Sequence, residues 1–152
     1  GPVKYFANMA KRKYNNEKII GLPRPYTPRL EGRPFYDTVS HMDATSLCRC
    51  EKCRKRIAEG KSIQWQFIAD VANEVAKTHP QINISSGAYQ DRAPFPRDVK
   101  FPSNIGISIP LGIHAWWNPE FYRIQHDEHY EAWRKHFGGK KIAVWLYIFG
   151  PS

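Results

Sequence analysis

Four short apolar segments recur along this chain, and the long connections between them limit its fold more than any other feature. The segments are residues 35–40, 82–88, 105–109 and 142–149. Parallel strands cannot be joined by a tight turn and usually need a long crossover, so connections of this length favour parallel strands. The last segment is almost wholly apolar, which is typical of a parallel strand covered on both faces. The pattern therefore predicts an α/β fold with a sheet of about four parallel strands.

The connections between these segments carry helix signals. Three helices are predicted, at residues 48–59, 62–79 and 118–137. The middle helix has the clearest pattern, because its apolar residues recur at the three-to-four spacing of one buried face. Ser62 and Asn118 are predicted N-caps, and Gly60 and Gly138 are predicted stops. Residues 91–103 contain Pro94, Pro96 and Pro102, so this crossover is expected to be an extended loop.

The N-terminal part of the chain differs from the rest. Residues 1–33 show little periodicity, and three prolines fall within residues 23–28. We expect an irregular N-terminal segment, 1–33, with a short helix near residues 3–13, followed by a single α/β barrel-type half domain at 34–152. The chain has 152 residues with 41% hydrophobic content, which is enough to bury one core.

The chain is basic, with 23 Lys and Arg against 14 Asp and Glu, a net charge of +9. This balance permits binding to phosphate backbones or acidic polymers, but the cations form short clusters that are typical of solvated faces. No apolar run approaches the roughly 18 residues of a membrane span. The N-terminus lacks the basic-then-apolar order of a signal peptide, and Gly1-Pro2 resembles the remnant of a removed tag. We therefore expect neither a membrane nor a nucleic-acid partner, and the sequence leaves the localisation open.

Polar and aromatic side chains follow each of the four predicted strands. They are Ser40, His41 and Asp43, then Tyr89, Gln90 and Asp91, then His114, Trp116 and Trp117, and finally Tyr147. In parallel α/β folds, ligands bind at the carboxyl ends of the strands, which meet at one edge of the sheet. The topology therefore predicts that these side chains converge.

Several motifs together resemble a known family. In order, they are Asp43 with the Cys48-x-Cys50-x2-Cys53 cluster, the segment 70–76 before His79-Pro80, Ala88-Tyr89, Asn104-Ile105, Trp133 and Trp145-Leu146-Tyr147. On these motifs, residues 34 to 150 resemble the bacterial family known as domain of unknown function 4838, which is grouped with the glycoside hydrolase TIM barrels. The family has an Asn before its acid, where this chain has Met42.

The resemblance implies a (β/α)8 TIM-barrel-like fold and a carbohydrate-binding or carbohydrate-processing role. A full barrel needs about 250 residues, so this chain would supply only part of one. The resemblance thus implies a fragment of a barrel, a missing half supplied by another chain or copy, or an open sheet. It also implies an exported bacterial protein. Asp43, Tyr89 and Tyr147 are the positions that carry over from the family.

Glycoside hydrolysis uses two carboxyl groups on either side of the bond and requires no cofactor. Asp43 is the first candidate, Asp91 lies at the adjacent strand end, and Glu120 follows the third strand, with Asp127 and Glu128 in reserve. One carboxyl would act as an acid whose pKa is raised by apolar surroundings, and the other as a base or nucleophile. The alternative role for Asp43 is structural, because a loop Asp often accepts hydrogen bonds from nearby backbone N–H groups.

Aromatic side chains suit sugar recognition, because a pyranose ring has an apolar face that stacks on a flat ring. Trp116 and Trp117, beside His114, are predicted stacking platforms. Tyr89 and Tyr147 are predicted to donate hydrogen bonds to ligand oxygens. The alternative is packing, with the Trp pair at the rim of the core and the tyrosines half-buried in it.

Cys48, Cys50 and Cys53 fall within six positions and are the only cysteines in the chain. With His41 as a fourth ligand, they have the number and donor types of a structural zinc site. The spacing lacks the second separated pair of a zinc ribbon. A disulfide from Cys53 to Cys48 or Cys50, or three reduced thiols, also fits the sequence.

Two functional hypotheses follow from the sequence. The first is a glycoside-hydrolase-like domain that binds or cleaves an oligosaccharide with strand-end carboxylates and aromatic stacking. The second is a basic, zinc-stabilised module that binds nucleic acid or an acidic polymer without catalysis. The second hypothesis predicts bound metal and a steep salt dependence of affinity.

Overall fold

A computed structural model describes residues 1–17, 19, 32–39, 48–89, 92–112, 118–138 and 141–147. The helices are α1 (Pro2–Tyr14), α2 (Glu51–Ala58), α3 (Ile63–Ala76), α4 (Pro119–Tyr122) and α5 (Glu131–Phe137), with a π-helical segment (Arg123–Tyr130) between α4 and α5. The strands are β1 (Phe35–Thr38), β2 (Ile82–Gly87), β3 (Ile105–Gly112) and β4 (Ile142–Tyr147). Over these residues, the helices are too short or too polar to cross a membrane.

The four strands form one parallel sheet in the order β1, β2, β3, β4. The predicted α/β class, with parallel strands alternating with helices, is confirmed. β3 continues past its predicted end at Ile109, through Pro110, to Gly112. The chain divides into two compact units, one made of residues 1–85 and 98–105 and the other of residues 86–97 and 106–152.

In the first unit, α3 supplies most of the helical core. Its buried residues are Trp65, Ile68, Ala69, Val71, Ala72 and Val75. Helix α1 packs against α3, with Phe6 meeting Phe67 edge to face at a ring-centroid distance of 5.7 Å. The helix predicted near residues 3–13 is therefore present as α1, and its buried alanines, Ala7 and Ala10, allow a close approach.

The β1–β2 pair has one buried face and one more open face. Ile82 and Ile84 are fully buried, because alternate residues of a strand point to opposite sides of the sheet. On the other side, Thr38 lies opposite Ser85, and their hydroxyl oxygens are 3.0 Å apart. This pair of strands is therefore less apolar than the sequence pattern suggested.

In the second unit, the core forms around Trp133, which is fully buried on α5. Its indole N–H donates to the Ala93 carbonyl oxygen at 2.8 Å, and Phe95 meets its ring edge to face at 4.9 Å between centroids. The Ala88 backbone N–H donates to the Ser108 carbonyl oxygen at 2.8 Å. The end of β2 is thereby paired with β3.

The helical stretch from Pro119 to Phe137 confirms the predicted boundaries. The Asn118 side chain accepts hydrogen bonds from the backbone N–H groups of Glu120 and Phe121, so it is the N-cap. Gly138 ends the stretch in the left-handed region, with φ of 59°. The π-helical turns between α4 and α5 were not predicted, because side-chain spacing does not reveal a shift from i+4 to i+5 bonding.

β4 differs from its prediction. It is an outer strand in the sheet order, and the neighbouring residues Val144 and Trp145 are 43% and 60% exposed. Because neighbouring residues point to opposite faces, the expectation that both faces of this strand are covered is wrong. An apolar run shows that a strand can be buried, but it does not supply the layer that buries it.

Candidate functional site

The three cysteines form one cluster at the start of α2. The sulfur atoms of Cys48, Cys50 and Cys53 all lie within 4.8 Å of one another. Cys50 is the N-cap of α2, with an extended backbone (φ −64°, ψ 155°), and Cys53 follows in the first turn. Residues three apart on a helix lie on the same side, so the local chain geometry alone brings these sulfurs together.

Hydrogen bonds within the cluster shift the pKa values of the Cys50 and Cys53 thiols in opposite directions. The backbone N–H of Cys53 and the side chains of Cys48 and Cys53 lower the pKa of the Cys50 thiol. The hydrogen bonds to Cys50 and Cys48 raise the pKa of the Cys53 thiol to about 11. The same hydrogen bonds thus favour ionisation at Cys50 and oppose it at Cys53.

The cluster also fits a metal ion. In tetrahedral zinc sites the Zn–S bonds are about 2.3 Å, which places the sulfurs about 3.8 Å apart. The three sulfurs, within 4.8 Å of one another, lie near this spacing. Cys48 and Cys50 are exposed and Cys53 is half-buried, so an ion has access.

Many of the predicted site residues lie outside the described residues. They are His41, Asp43, Asp91, His114, Trp116 and Trp117. Their positions as catalytic, substrate-binding or metal-binding residues stay predictions.

The backbone positions of Tyr89 and Tyr147 are described relative to the ends of β2 and β4. Tyr89 lies just beyond β2 and is 37% exposed, directly after Ala88, whose N–H is bonded to Ser108. Tyr147 is the last residue of β4 and is in register with Gly112, the last residue of β3. The two predicted tyrosines therefore occupy strand ends, as expected.

Glu120 lies in the first turn of α4 and is exposed. Its backbone N–H donates to the Asn118 side chain at 3.1 Å, and an acid in a first turn is favourable to the helix dipole. Glu120 therefore contributes to the N-terminal capping of α4. Its predicted catalytic role stays a prediction.

The structure also contains polar residues with roles that the sequence did not indicate. Asp37 is buried within β1 and accepts a hydrogen bond from Lys13 at 2.7 Å. Asn104 is buried and donates to the carbonyl oxygens of Ala72 and Ile82, at 2.9 and 3.2 Å. A buried acid inside an apolar segment was the available signal for Asp37. Both residues hold the first unit together and lie away from its surface.

A family model described as a domain of unknown function, DUF4838, matches residues 32–149. This range agrees with the resemblance drawn from the motifs. No curated protein and no solved structure matches the chain.

Proposed function

This chain belongs to the domain of unknown function family DUF4838, and on that premise we propose that it binds or cleaves an oligosaccharide. The proposed site is the edge of the second unit where β2, β3 and β4 end. Carbohydrate is the proposed partner, and the strand-end acids and aromatic residues are the proposed contacts.

One observation carries this proposal. β3 and β4 are parallel and end together, with Gly112 opposite Tyr147, and Tyr89 follows the end of β2. The segments that leave these ends contain an acid, Asp91, and the aromatic pair Trp116 and Trp117. Ligands in parallel α/β folds bind beyond the carboxyl ends of the strands, so these segments start where a ligand is expected.

The chemistry of these residue types suits a sugar. A tryptophan face can cover the apolar face of a pyranose, and the Tyr89 hydroxyl can donate to a ring substituent. Cleavage needs a second carboxyl group in addition to Asp91. Asp43, the acid that the family resemblance carries over, is tested separately for a catalytic role.

The proposal is tested by oligosaccharide binding and by turnover of aryl glycosides. Asp43→Asn and Asp91→Asn are expected to lower turnover by about a hundredfold or more, while the affinity for the oligosaccharide is retained. Trp116→Ala and Trp117→Ala are expected to weaken binding. Asp70→Asn, at an exposed position of α3, is the matched control.

Two results would contradict the proposal. One is that the chain neither binds nor cleaves any member of a broad oligosaccharide panel. The other is that Asp70→Asn lowers turnover as much as the strand-end substitutions do, since that would separate activity from the proposed site.

The cysteine cluster supports a second candidate function, the binding of a structural zinc ion. The supporting observation is the convergence of the three sulfurs within 4.8 Å, and thiolates are preferred zinc ligands. We expect about one zinc per chain by elemental analysis under reducing conditions, and a sulfur-to-metal charge-transfer band with Co²⁺. Cys50→Ser should lose both signals, and Lys55→Gln, on the same helix, should keep them. Cysteine-independent zinc binding would contradict this assignment.

A further inference from the structure

Helix α2 is held only weakly by packing. None of its eight residues is buried, and only Cys53, Arg56 and Ile57 are half-buried. A helix shorter than about 12 to 15 residues is marginal in water unless tertiary contacts support it. The folded state of α2 therefore needs a further source of stability.

The charges of α2 do not supply this stability. Four cations and one carboxylate fall within Glu51–Ala58. Lys52 and Arg56 are four residues apart and repel each other, whereas Glu51 and Lys55 at the same spacing attract each other, so the two pairs roughly offset. Among the residues that the structure describes, no ion pair joins α2 to another element. The slight packing and the balanced charges therefore leave the helix marginal.

The cysteine cluster lies where it can supply that stability. Cys48 precedes the helix, Cys50 is its N-cap without a side-chain capping bond, and Cys53 is in the first turn. An ion shared by the three sulfurs would tie the preceding loop to this turn and fix the costly helix nucleus. Three thiolates around a divalent cation keep one net negative charge, which is favourable at a helix N-terminus and beside the cations of α2.

We propose that a thiophilic divalent cation, bound by Cys48, Cys50 and Cys53, keeps α2 folded against α3. The proposal rests on the metal-binding function proposed above and adds its structural consequence. Because the bound geometry does not persist in an unfolded loop, the free energy of metal binding is coupled to the folding of the helix. Without metal, residues 51–58 unfold locally while α3 keeps its structure through its buried face.

Hydrogen–deuterium exchange on the whole chain tests this coupling. The reduced, metal-free chain is compared with the same chain after addition of Zn²⁺, with Mg²⁺ as the control ion. Zinc is expected to slow amide exchange in residues 51–58 by about tenfold or more, and to change exchange in residues 63–76 by less than about twofold. Mg²⁺ should leave both segments unchanged.

Variants distinguish the effect of metal binding from the effect of a changed helix propensity. Cys53→Ser and Cys48→Ser should both abolish the zinc effect, and Cys48→Ser does so from outside the helix, so altered helix propensity cannot explain it. Lys55→Gln should retain the effect. Unchanged exchange in residues 63–76 shows that each variant is still folded.

Two results would overturn the proposal, and they differ in what else they remove. If one zinc ion binds per chain but exchange in residues 51–58 does not change, the coupling is wrong and the metal site stands. If no zinc binds to the reduced chain, the metal site and the coupling both fail.

Discussion

Lys13 Nζ lies 2.7 Å from Asp37 Oδ1, which joins the last turn of α1 to the buried side of β1. The two side chains are 23% and 10% exposed, so the pair is largely removed from water. Burying either charge alone is costly, whereas the pair satisfies both. The pair therefore fixes how α1 lies on the first unit.

Removing one member of this pair should destabilise the first unit. Asp37→Asn or Lys13→Met is expected to lower the free energy of unfolding by about 2 to 3 kcal/mol, because the remaining group loses its partner. Urea denaturation measures the change. Lys77→Met breaks the more exposed pair with Glu74 and should cost less than about 0.5 kcal/mol. Similar losses in the two experiments would show that burial does not strengthen the Lys13–Asp37 pair.

A second prediction concerns the buried amide of Asn104, which bridges α3 and β2. Its Nδ2 donates to the carbonyl oxygens of Ala72 and Ile82, and the backbone carbonyl oxygen of Asn104 accepts from the Ile84 N–H at 2.8 Å. Asn104→Ala should lower the free energy of unfolding by about 2 to 3 kcal/mol, since two bonds to buried acceptors are lost.

Asn104→Asp should cost more than the alanine variant, because its carboxylate would face two carbonyl oxygens. The control for both variants is Asn83→Ala, which removes one part-buried bond to the Phe35 carbonyl oxygen and should cost about 1 kcal/mol. An Asn104→Ala loss no larger than that of Asn83→Ala would contradict the bridging role.

These two sites show where sequence reasoning stops. The apolar periodicity of α3 and the strand pattern depend on neighbours a few residues away, so the fold class and most elements could be predicted. Asp37 pairs with a lysine 24 positions earlier, and Asn104 reaches α3 from 32 positions away. Neither distance leaves a periodic signal in the sequence. The open faces of β4 escaped prediction for the same reason, since a covering layer is not encoded within the strand itself.

The candidate site residues also differ in whether the local sequence determines their position. The cysteine cluster could be predicted because five consecutive peptide bonds and one helical turn bring its sulfurs together, and the three sulfurs do lie within 4.8 Å of one another. The tyrosine positions followed from strand order. Asp43, Asp91, Trp116 and Trp117 lie outside the described residues, so their predicted convergence stays a prediction.

A third prediction concerns Trp133 in the core of the second unit. Trp133→Phe removes the bond to the Ala93 carbonyl oxygen and shrinks a fully buried side chain. We expect a loss of about 2 to 4 kcal/mol, from the vacated volume and the unpaired carbonyl. Thermal unfolding monitored by circular dichroism measures it. Trp145→Phe, at a position 60% exposed, should cost less than about 1 kcal/mol, and equal losses would place the core elsewhere.

The start of α3 should make stability depend on pH in the acid range. Asp98 accepts hydrogen bonds from the Ser62 backbone N–H at 2.9 Å and from its hydroxyl at 2.6 Å. Partial burial alone would raise the pKa of Asp98, but these bonds outweigh it and lower the pKa. A folded pKa below the unfolded value of about 3.9 means that this stabilisation is complete above that value and is lost as pH falls through the folded pKa.

In urea titrations, wild type should therefore exceed Asp98→Asn in stability at neutral pH, and the difference should shrink as pH falls below about 4. Ser62→Ala, which removes only the hydroxyl donor, should show a smaller pH dependence than wild type, and a difference that stays constant down to about pH 2 would refute the assignment.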